Sequence, residues 1–380
     1  MENPVYMDHN ATTAVRPAVK DAVARALELT GNASSVHASG RVARSLIEDA
    51  RERVAALLGA RPRDVVFTSG GTEANALALL GAAPGPDGGP ERPRVLVSAV
   101  EHVSVLKAAP DTETLAVDAD GVVDLPALDA MLAADGRPAL VSVMLANNET
   151  GVIQPLAEVS EIARKHGARV HCDAVQAAGK IAVDPAALGI DMVSLSAHKI
   201  GGPTGVGALV LFGDTDLSAL VHGGGQERGR RAGTENVPGI AGFGVAAEAA
   251  LGGLSDFASL GAWRDGIEAV LGGHAGVRVF GAGVSRLANT SCLTMPGVQA
   301  EHQIIALDLE GVAVSAGSAC SSGKVEPSHV LAAMGVPAEE AATAIRVSLG
   351  WNTTEDEVQR FVEAWNEVYA KSKAKDVAAA

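Results

Sequence analysis

Residues 168–199 read ARVHCDAVQAAGKIAVDPAALGIDMVSLSAHK and contain two short apolar runs, 168–172 and 192–195. Each run predicts a buried β-strand, and polar groups follow directly: Asp173 after the first, and Ser196 to Lys199 after the second. Short apolar strands that alternate with helical segments are typical of a mainly parallel sheet with helices on both faces. Ligands of such sheets bind at the carboxyl ends of the strands. The stretch therefore predicts an α/β fold and a functional site where these polar groups meet.

The same alternation extends through most of the chain, which with 380 residues exceeds the usual size of one hydrophobic core. We predict a large domain, residues 15–255, and a smaller α+β domain formed by residues 1–14 and 256–380. Further strands are predicted at 64–68, 95–100, 140–145 and 207–212, and helices at 41–58, from about 73, at 156–166, at 300–309 and after Thr354.

Composition argues against several classes of protein. The formal net charge of −15 opposes non-specific binding to nucleic acids or anionic membranes, and aromatic residues make up only 3% of the chain. No apolar stretch is long enough to span a bilayer, nothing at the amino terminus resembles a signal peptide, and three widely separated cysteines suit a reducing compartment. The ten histidines have no metal-ligand spacing. We therefore expect a cytoplasmic protein with no nucleic-acid, membrane or metal partner.

Lys199 follows a predicted buried strand directly, where desolvation of an ammonium is costly. A lysine condensed with an aldehyde escapes that cost, and such a lysine is the usual anchor of pyridoxal phosphate. The alternative for an isolated lysine is a side chain that reaches the surface. Asp173 could pair with the pyridinium nitrogen of this cofactor and Gln176 could donate to its phenolate oxygen, although Asp173 could instead cap a following helix. Residues 69–72, at a predicted strand-to-helix turn, suit a phosphate.

The three cysteines differ in their surroundings. Cys172 lies in a predicted strand and Cys292 in an apolar segment, so both are expected to pack as small hydrophobic residues. Cys320 lies among small residues in the sequence SAGSACSSG, residues 315–323. That context predicts an accessible thiol that can reach a substrate and then an acceptor, the alternative being an exposed but inert thiol.

A series of motifs occurs in one order along nearly the whole chain. The motifs are DHNATT (8–13), GNASS (31–35), FTSGGTE (67–73), EH (101–102), NNE (147–149), HCDA (171–174), SAHK (196–199), HGGGQE (222–227), GT (233–234), GSAC (317–320) and IRVSL (345–349). Together they resemble the cysteine desulfurases of the nitrogen-fixation and iron–sulfur-cluster type, which are fold-type I pyridoxal-phosphate enzymes of the class-V aminotransferase family. The resemblance implies a large domain with a mainly parallel mixed sheet flanked by helices, a smaller α+β domain, and pyridoxal 5'-phosphate as cofactor.

The resemblance also implies a role for each matched residue. Lys199 holds the cofactor covalently and later moves the Cα proton, and His102 stacks on the ring and serves in proton transfer. Arg346 binds the substrate carboxylate, as suits a planar guanidinium, and Asn148 lies near cofactor and substrate. The other implied cofactor contacts are Asp173 and Gln176 at the ring nitrogen and phenolate oxygen, Gly71, Thr72, Ser196 and His198 at the phosphate, and Thr234 from the partner subunit.

The implied reaction converts L-cysteine to L-alanine and leaves Cys320 as a persulfide. Its sulfur would pass to an acceptor or scaffold protein for iron–sulfur cluster or other sulfur-cofactor assembly. A homodimer with active sites completed across the interface is implied as well. The alternatives are a selenocysteine lyase-like activity, an aminotransferase, or a non-catalytic scaffold of a sulfur pathway. An aminotransferase has no use for Cys320, and a scaffold would be expected to have lost Lys199 or Cys320.

Overall fold

The computed structural model describes residues 4–82, 94–316 and 327–379. In these ranges the strands are β1 (Val5–Tyr6), β2 (Val65–Thr68), β3 (Arg94–Ser98), β4 (Glu113–Leu115), β5 (Ala139–Ser142), β6 (Arg169–Asp173), β7 (Met192–Ser196), β8 (Gly207–Leu211), β9 (Thr290–Thr294), β10 (Val312–Ala313), β11 (Ser315–Ala316) and β12 (Ala344–Ser348). The α-helices are α1 (Pro17–Leu27), α2 (Ala38–Ala56), α3 (Gly71–Gly81), α4 (Val103–Leu106), α5 (Leu125–Ala134), α6 (Leu156–Lys165), α7 (Pro185–Leu188), α8 (Val237–Gly252), α9 (Leu254–Leu271), α10 (Ala300–Leu309), α11 (His329–Ala333), α12 (Ala338–Ala341) and α13 (Glu355–Ala379).

The central sheet has seven strands in the order β2-β8-β7-β6-β5-β3-β4. The five neighbouring strands β7, β6, β5, β3 and β4 pair in parallel, whereas β8 is antiparallel to both β7 and β2. The predicted α/β class with a mainly parallel mixed sheet is confirmed. In the pair β6 and β7, Asp173 lies opposite Ser194, so the carboxyl ends of the two strands lie side by side.

Apolar side chains cover both faces of this sheet. Successive residues of a strand point to opposite faces, and β2 follows that rule. Val65 and Phe67 pack in one core with α2 and α8, whereas Val66 packs in another core with α3. Burial on both faces explains why the central strands are continuous apolar runs in the sequence.

A separate apolar core surrounds a three-stranded antiparallel sheet with the order β11-β12-β9. Helices α9, α10 and α13 pack against it, with Phe361 and Trp365 fully buried. Val5 and Met7 from the amino terminus join the same core, and β1 pairs in parallel with β10. This second core supports the proposed division of the chain into residues 15–255 and a smaller unit of residues 1–14 and 256–380.

A buried ion pair fastens the segment between β8 and α8. Both nitrogens of the Arg51 fork donate to Glu227, at 2.7 and 2.9 Å, and the two side chains are only 4% and 3% exposed. Glu227 also accepts from the backbone N–H of Phe67 at 2.9 Å. Its φ of 46° lies in the left-handed region, which is costly for a residue other than glycine. The ion pair therefore holds this segment, which includes Thr234, against α2 and β2.

Among the described residues, no single helix is long and apolar enough to cross a membrane. Helices α8 and α9 meet the length and composition criteria only as a pair, and they are bent by 66° where they meet.

Candidate active site

A cavity of about 280 Å³ lies at the carboxyl ends of β6 and β7, beside the first turn of α3. This is where the sequence places the site. The cavity is also lined by four residues for which the sequence predicted no role: Asn10, Ala11, Asn75 and Ser104. The predicted site residues that the cavity brings together are Gly71, Thr72, His102, Asn148, Asp173, Gln176, Ser196, His198, Lys199 and Arg346.

Lys199 ends the short 3-10 turn Ala197–Lys199 that follows β7 directly. Its Nζ donates to the carbonyl oxygens of Asn10, at 2.5 Å, and Ala11, at 2.8 Å. The side chain lines the cavity instead of extending into solvent. Two carbonyl groups of the amino-terminal segment thus hold the amine where a ligand in the cavity can reach it.

Asp173 ends β6 and is 4% exposed. One carboxylate oxygen accepts from Nδ2 of Asn75 at 2.8 Å, and the other accepts from the backbone N–H of Val175 at 2.9 Å. Residues 175–180 form turns and one isolated β-bridge and not a helix, so the alternative that Asp173 caps a helix is wrong. Because each carboxylate oxygen can accept more than one hydrogen bond, Asp173 keeps capacity for a cationic N–H in the cavity.

His102 is held in one tautomer by its neighbour Ser104. The backbone N–H of Ser104 donates to Nδ1 of His102 at 3.1 Å, so the neutral ring carries its proton on Nε2. Burial lowers the pKa of His102, the Asp173 charge opposes that effect, and the Lys199 charge adds to it. The hydroxyl of Ser104 in turn accepts from Asn75 at 2.9 Å. Hydrogen bonds therefore connect His102 with Asp173 through Ser104 and Asn75.

Helix α3 begins at the cavity without a side-chain cap. The first N–H groups of a helix have no partner within the helix, and together with the helix dipole they attract anions. A Cβ atom on Gly71 would lie 2.9 Å from Cγ2 of Val175, so any larger residue here would require Val175 to shift. Burial, and then the Lys199 charge, lower the pKa of His198 to about 4, which leaves a neutral imidazole beside this turn. The turn with Thr72, Ser196 and His198 suits a phosphate.

Arg346 lies in the middle of β12 and is 3% exposed. Nη2 pairs with the carboxylate of Asp8 at 2.5 Å, and Nη1 donates to the carbonyl of Asn148 at 3.2 Å. Its buried Nε has no partner in the described part of the chain. Asp8 thus orients the guanidinium at the cavity wall, and part of its donor capacity is left for a ligand carboxylate.

Thr234 is a predicted site residue that does not line this cavity. Thr234 lines a separate cavity of about 120 Å³ together with Phe67 and Arg231. Its predicted role is a contact across a subunit interface. Cys320 lies outside the described residues, which stop at Ala316 and resume at Pro327.

The other two cysteines are buried as predicted. Cys172 and Cys292 are both 0% exposed, which confirms that they pack as small hydrophobic residues. Burial raises the pKa of each thiol, and nearby carboxylates raise it further. Neither thiol is therefore suited to act as a thiolate nucleophile.

Asn10 belongs to the motif at 8–13, and its function in the site was not predicted from the sequence. Every polar atom of this residue is hydrogen-bonded, and its partners come from both residues 15–255 and residues 256–380. The signal that could have identified Asn10 was its place as a polar residue in the motif at 8–13. The backbone N–H donates to Ser348, the carbonyl accepts from Lys199 and Gln176, Oδ1 accepts from Lys180 and Asn289, and Nδ2 donates to Asn148 and Thr290.

Asn75 was also missed, although a helical pattern could have found it. It lies one turn after Gly71 and therefore on the same face of α3. Its Nδ2 donates to both Ser104 and Asp173, while its buried Oδ1 has no partner among the residues that the structure describes. A buried acceptor without a hydrogen-bond partner is costly for the fold.

The residues around the cavity fit pyridoxal phosphate. The uncapped turn at Gly71 suits its phosphate, the Asp173 carboxylate suits its pyridinium nitrogen, and the Lys199 amine suits its aldehyde.

Comparison with known proteins gives one family. Residues 5–361 match the family described as aminotransferase class-V. The IscS-like cysteine desulfurase of Mycobacterium tuberculosis is 42% identical over 387 aligned positions, which cover 99% of this chain and 98% of the relative. A cysteine desulfurase of Cereibacter sphaeroides is 44% identical over 94% of both chains.

Solved structures agree with this result. The NifS-like protein from Rickettsia africae superimposes with a TM-score of 0.88 at 37% identity, covering 97% of this chain and all of that one (100%). A structure described as SspA in complex with cysteine has a TM-score of 0.77 at 30% identity, covering 90% of this chain and 98% of that one.

Proposed function

Because the chain belongs to the class-V aminotransferase family, and within it to the cysteine desulfurases, we propose which of its residues hold the cofactor, the substrate and the transferred sulfur. The chain is a cysteine desulfurase of the fold-type I class, in a family that depends in general on pyridoxal phosphate. Cysteine desulfurases act on L-cysteine and transfer its sulfur to acceptors. The proposal rests on one observation, the meeting of Lys199, Asp173 and the uncapped turn of α3 in a single cavity.

In this proposal, residues of the cavity hold pyridoxal phosphate at its aldehyde, at its ring and at its phosphate. Lys199 attaches the cofactor, and Asp173 pairs with the ring nitrogen while Gln176 donates to the phenolate oxygen. Stacking on the ring is assigned to His102, and Asn148 lies beside cofactor and substrate. The phosphate is bound by Gly71, Thr72, Ser196 and His198.

When bound, the cofactor supplies an electron sink for the bond electrons released at Cα of the substrate. The amine of Lys199 takes the Cα proton and returns it. It can do so because the Lys199 side chain lines the cavity in which the substrate would bind. His102, with its proton on Nε2, exchanges a proton with the reacting groups. Asn75 and the Val175 N–H both donate to Asp173 and would hold its carboxylate in place for the ring nitrogen.

The sulfur step is assigned to Cys320. Its thiolate attacks the sulfur of the substrate, so a sulfur–sulfur bond forms as the carbon–sulfur bond of L-cysteine breaks. The bonding electrons stay on the substrate carbon that carried the sulfur. This carbon takes a proton, and the product leaves as alanine. Cys320 is left as a persulfide, whose outer sulfur passes to a thiol acceptor.

The described residues on either side of Cys320, Ala316 and Ser328, contact neighbours of residues that line the cavity. Ala316 pairs with Ile345, next to Arg346, and Ser328 donates to Glu149, next to Asn148. Cys320 is four residues from Ala316, and four residues span at most about 14 Å. These attachments support a thiol that can reach the substrate.

Arg346 is proposed to bind the substrate carboxylate. We expect Arg346→Lys to raise KM for L-cysteine about 10- to 100-fold with a smaller change in kcat, because an ammonium lacks the fork of donors that a carboxylate needs. Asp8 keeps a cationic neighbour in this variant, so the fold should persist. Steady-state alanine formation measures both constants. A loss confined to kcat, with KM unchanged, contradicts the assignment.

We further propose a homodimer in which Thr234 of each subunit contacts the phosphate in its partner. The large apolar side chains Leu220 and Val221, 38% and 45% exposed, precede Thr234 on the segment anchored by Glu227 and support an interface there. The sulfur acceptor is proposed to be a protein of iron–sulfur cluster or other sulfur-cofactor assembly.

The test of the cofactor assignment is covalent labelling. We expect purified protein with added pyridoxal phosphate to gain one cofactor mass per chain after borohydride reduction, on the peptide that contains Lys199. Peptide mass spectrometry locates the label, and Lys165, an exposed surface lysine, is the internal control. A label spread over surface lysines, or absent from Lys199, contradicts the assignment.

A further inference from the structure

Lys180 is a buried lysine that the reaction, as assigned above, does not use. It is 4% exposed, and its Nζ donates to Oδ1 of Asn10 and Oε1 of Gln176, both at 2.8 Å. It also lies over the ring of Phe257, 6.0 Å from the centroid. Within the part of the chain that the structure describes, it forms no ion pair with a carboxylate. A lysine buried among neutral partners is costly for the fold.

The charges near Lys180 increase this cost. Burial lowers the pKa of Lys180 well below its ordinary value, and the positive charges of Lys199 and Arg346 lower it further. Replacement of a buried charge by an apolar group of similar volume is often neutral or stabilising. Fold stability therefore does not account for a lysine here, and its two hydrogen bonds are the feature to explain.

The two bonds determine which way the amide of Gln176 points. Its Oε1 accepts from Lys180, and its Nε2 donates to the carbonyl of Asn10 at 2.8 Å. A flipped amide would place its oxygen against that carbonyl, which can only accept, and its NH2 group against the Lys180 donors. The same Asn10 carbonyl accepts from Lys199. The amide nitrogen thus stays on the side of Lys199, at the cavity that Gln176 lines.

We propose that Lys180 is a positioning residue that holds the Gln176 amide so that its second N–H, the one not donated to Asn10, faces pyridoxal phosphate. This inference rests on the proposed function, in which Gln176 donates to the phenolate oxygen. Lys180 does not touch the cofactor in this proposal and acts only through Gln176, with Asn10 as the second fixed point.

A double-mutant cycle on cofactor affinity tests the proposal. We expect Lys180→Met and Gln176→Met each to weaken binding of pyridoxal phosphate to the apoprotein about tenfold, the value of one charge-assisted hydrogen bond. The double variant should bind no more than about twofold more weakly than either single variant, because both remove the same interaction. Dissociation constants come from absorbance titration, and Lys165→Met is the surface control with unchanged affinity.

Thermal unfolding of the apoproteins separates positioning from a structural role. Lys180→Met is expected to melt within a few degrees of the wild type or above it. A second variant, Gln176→Glu, keeps Lys180 and forms an ion pair with it but cannot donate from its carboxylate, so it should bind the cofactor about tenfold more weakly. This variant tests the donor even where Lys180→Met does not fold.

Several outcomes would overturn the inference. They are unchanged affinity in Lys180→Met, wild-type affinity in Gln176→Glu, and additive losses that make the double variant about a hundredfold weaker. A wild-type protein that does not bind pyridoxal phosphate overturns the proposed function together with this inference. A wild type that binds normally beside an unaffected Lys180→Met overturns this inference alone.

Discussion

Replacement of Lys199 by alanine is expected to lower the rate of alanine formation from L-cysteine at least about a thousandfold. The variant loses both the amine that attaches the cofactor and the base that takes the Cα proton. The carbonyls of Asn10 and Ala11 lose a donor but lie at the cavity, where water can replace it, so the protein should remain folded. Alanine is measured by chromatography at saturating cofactor.

The Lys199 variant has two matched comparisons. Lys165→Ala removes an exposed lysine and should keep the wild-type rate. Lys199→Arg keeps a cation near the same carbonyls but has no amine nucleophile, and it should be as inactive as the alanine variant. Activity in Lys199→Arg above about one tenth of the wild-type rate would show that the charge, and not the amine, is required.

Replacement of Cys320 by alanine is expected to remove sulfur transfer while cofactor binding stays intact. Loss of a nucleophile that acts covalently lowers turnover by at least about a thousandfold. Wild type and variant are compared for alanine and sulfide formation with a thiol reductant present, after the absorbance of the bound cofactor has been matched. Equal alanine formation in the two proteins would mean that Cys320 does not carry the sulfur.

Cys292→Ala is the control for the Cys320 variant. Its thiol is fully buried, and burial raises its pKa, so this substitution removes a cysteine without removing a candidate nucleophile. We expect it to retain most of the wild-type rate per folded protein. If the two variants lost activity equally, the effect would come from a general loss of thiols or structure.

Local patterns in the sequence predicted much of the fold. The apolar run 192–195 predicts a buried strand, and β7 extends over Met192–Ser196 with every residue buried. The predicted helix at 300–309 coincides with α10, and the helix predicted after Thr354 begins at Glu355. Lys199 and Asp173 could be selected because a charge at the end of a buried strand needs an explanation.

The sequence could not predict which side chains meet around these residues. Arg346 pairs with Asp8, which lies 338 positions earlier, and Gln176 bonds to Asn10, which lies 166 positions earlier. Such contacts depend on how the two apolar cores pack against each other, because the amino-terminal segment runs between them. Periodicity and propensity describe neighbours along the chain and contain no information about this packing.

The sequence by itself determined six strands of the large sheet (β2, β3, β5, β6, β7 and β8), the strand ends where polar groups collect, and the chemical types of the groups at the site. It did not predict β1, β4 or the strands from β9 to β12, which are short or lie in the smaller unit. Only the tertiary structure decided that Asn75 connects Asp173 with His102 through Ser104, and that Lys180 fixes the amide of Gln176. The physical reason is that hydrophobic burial, which the pattern encodes, is non-directional, whereas these hydrogen bonds depend on distances of about 3 Å that exist only after the chain has packed.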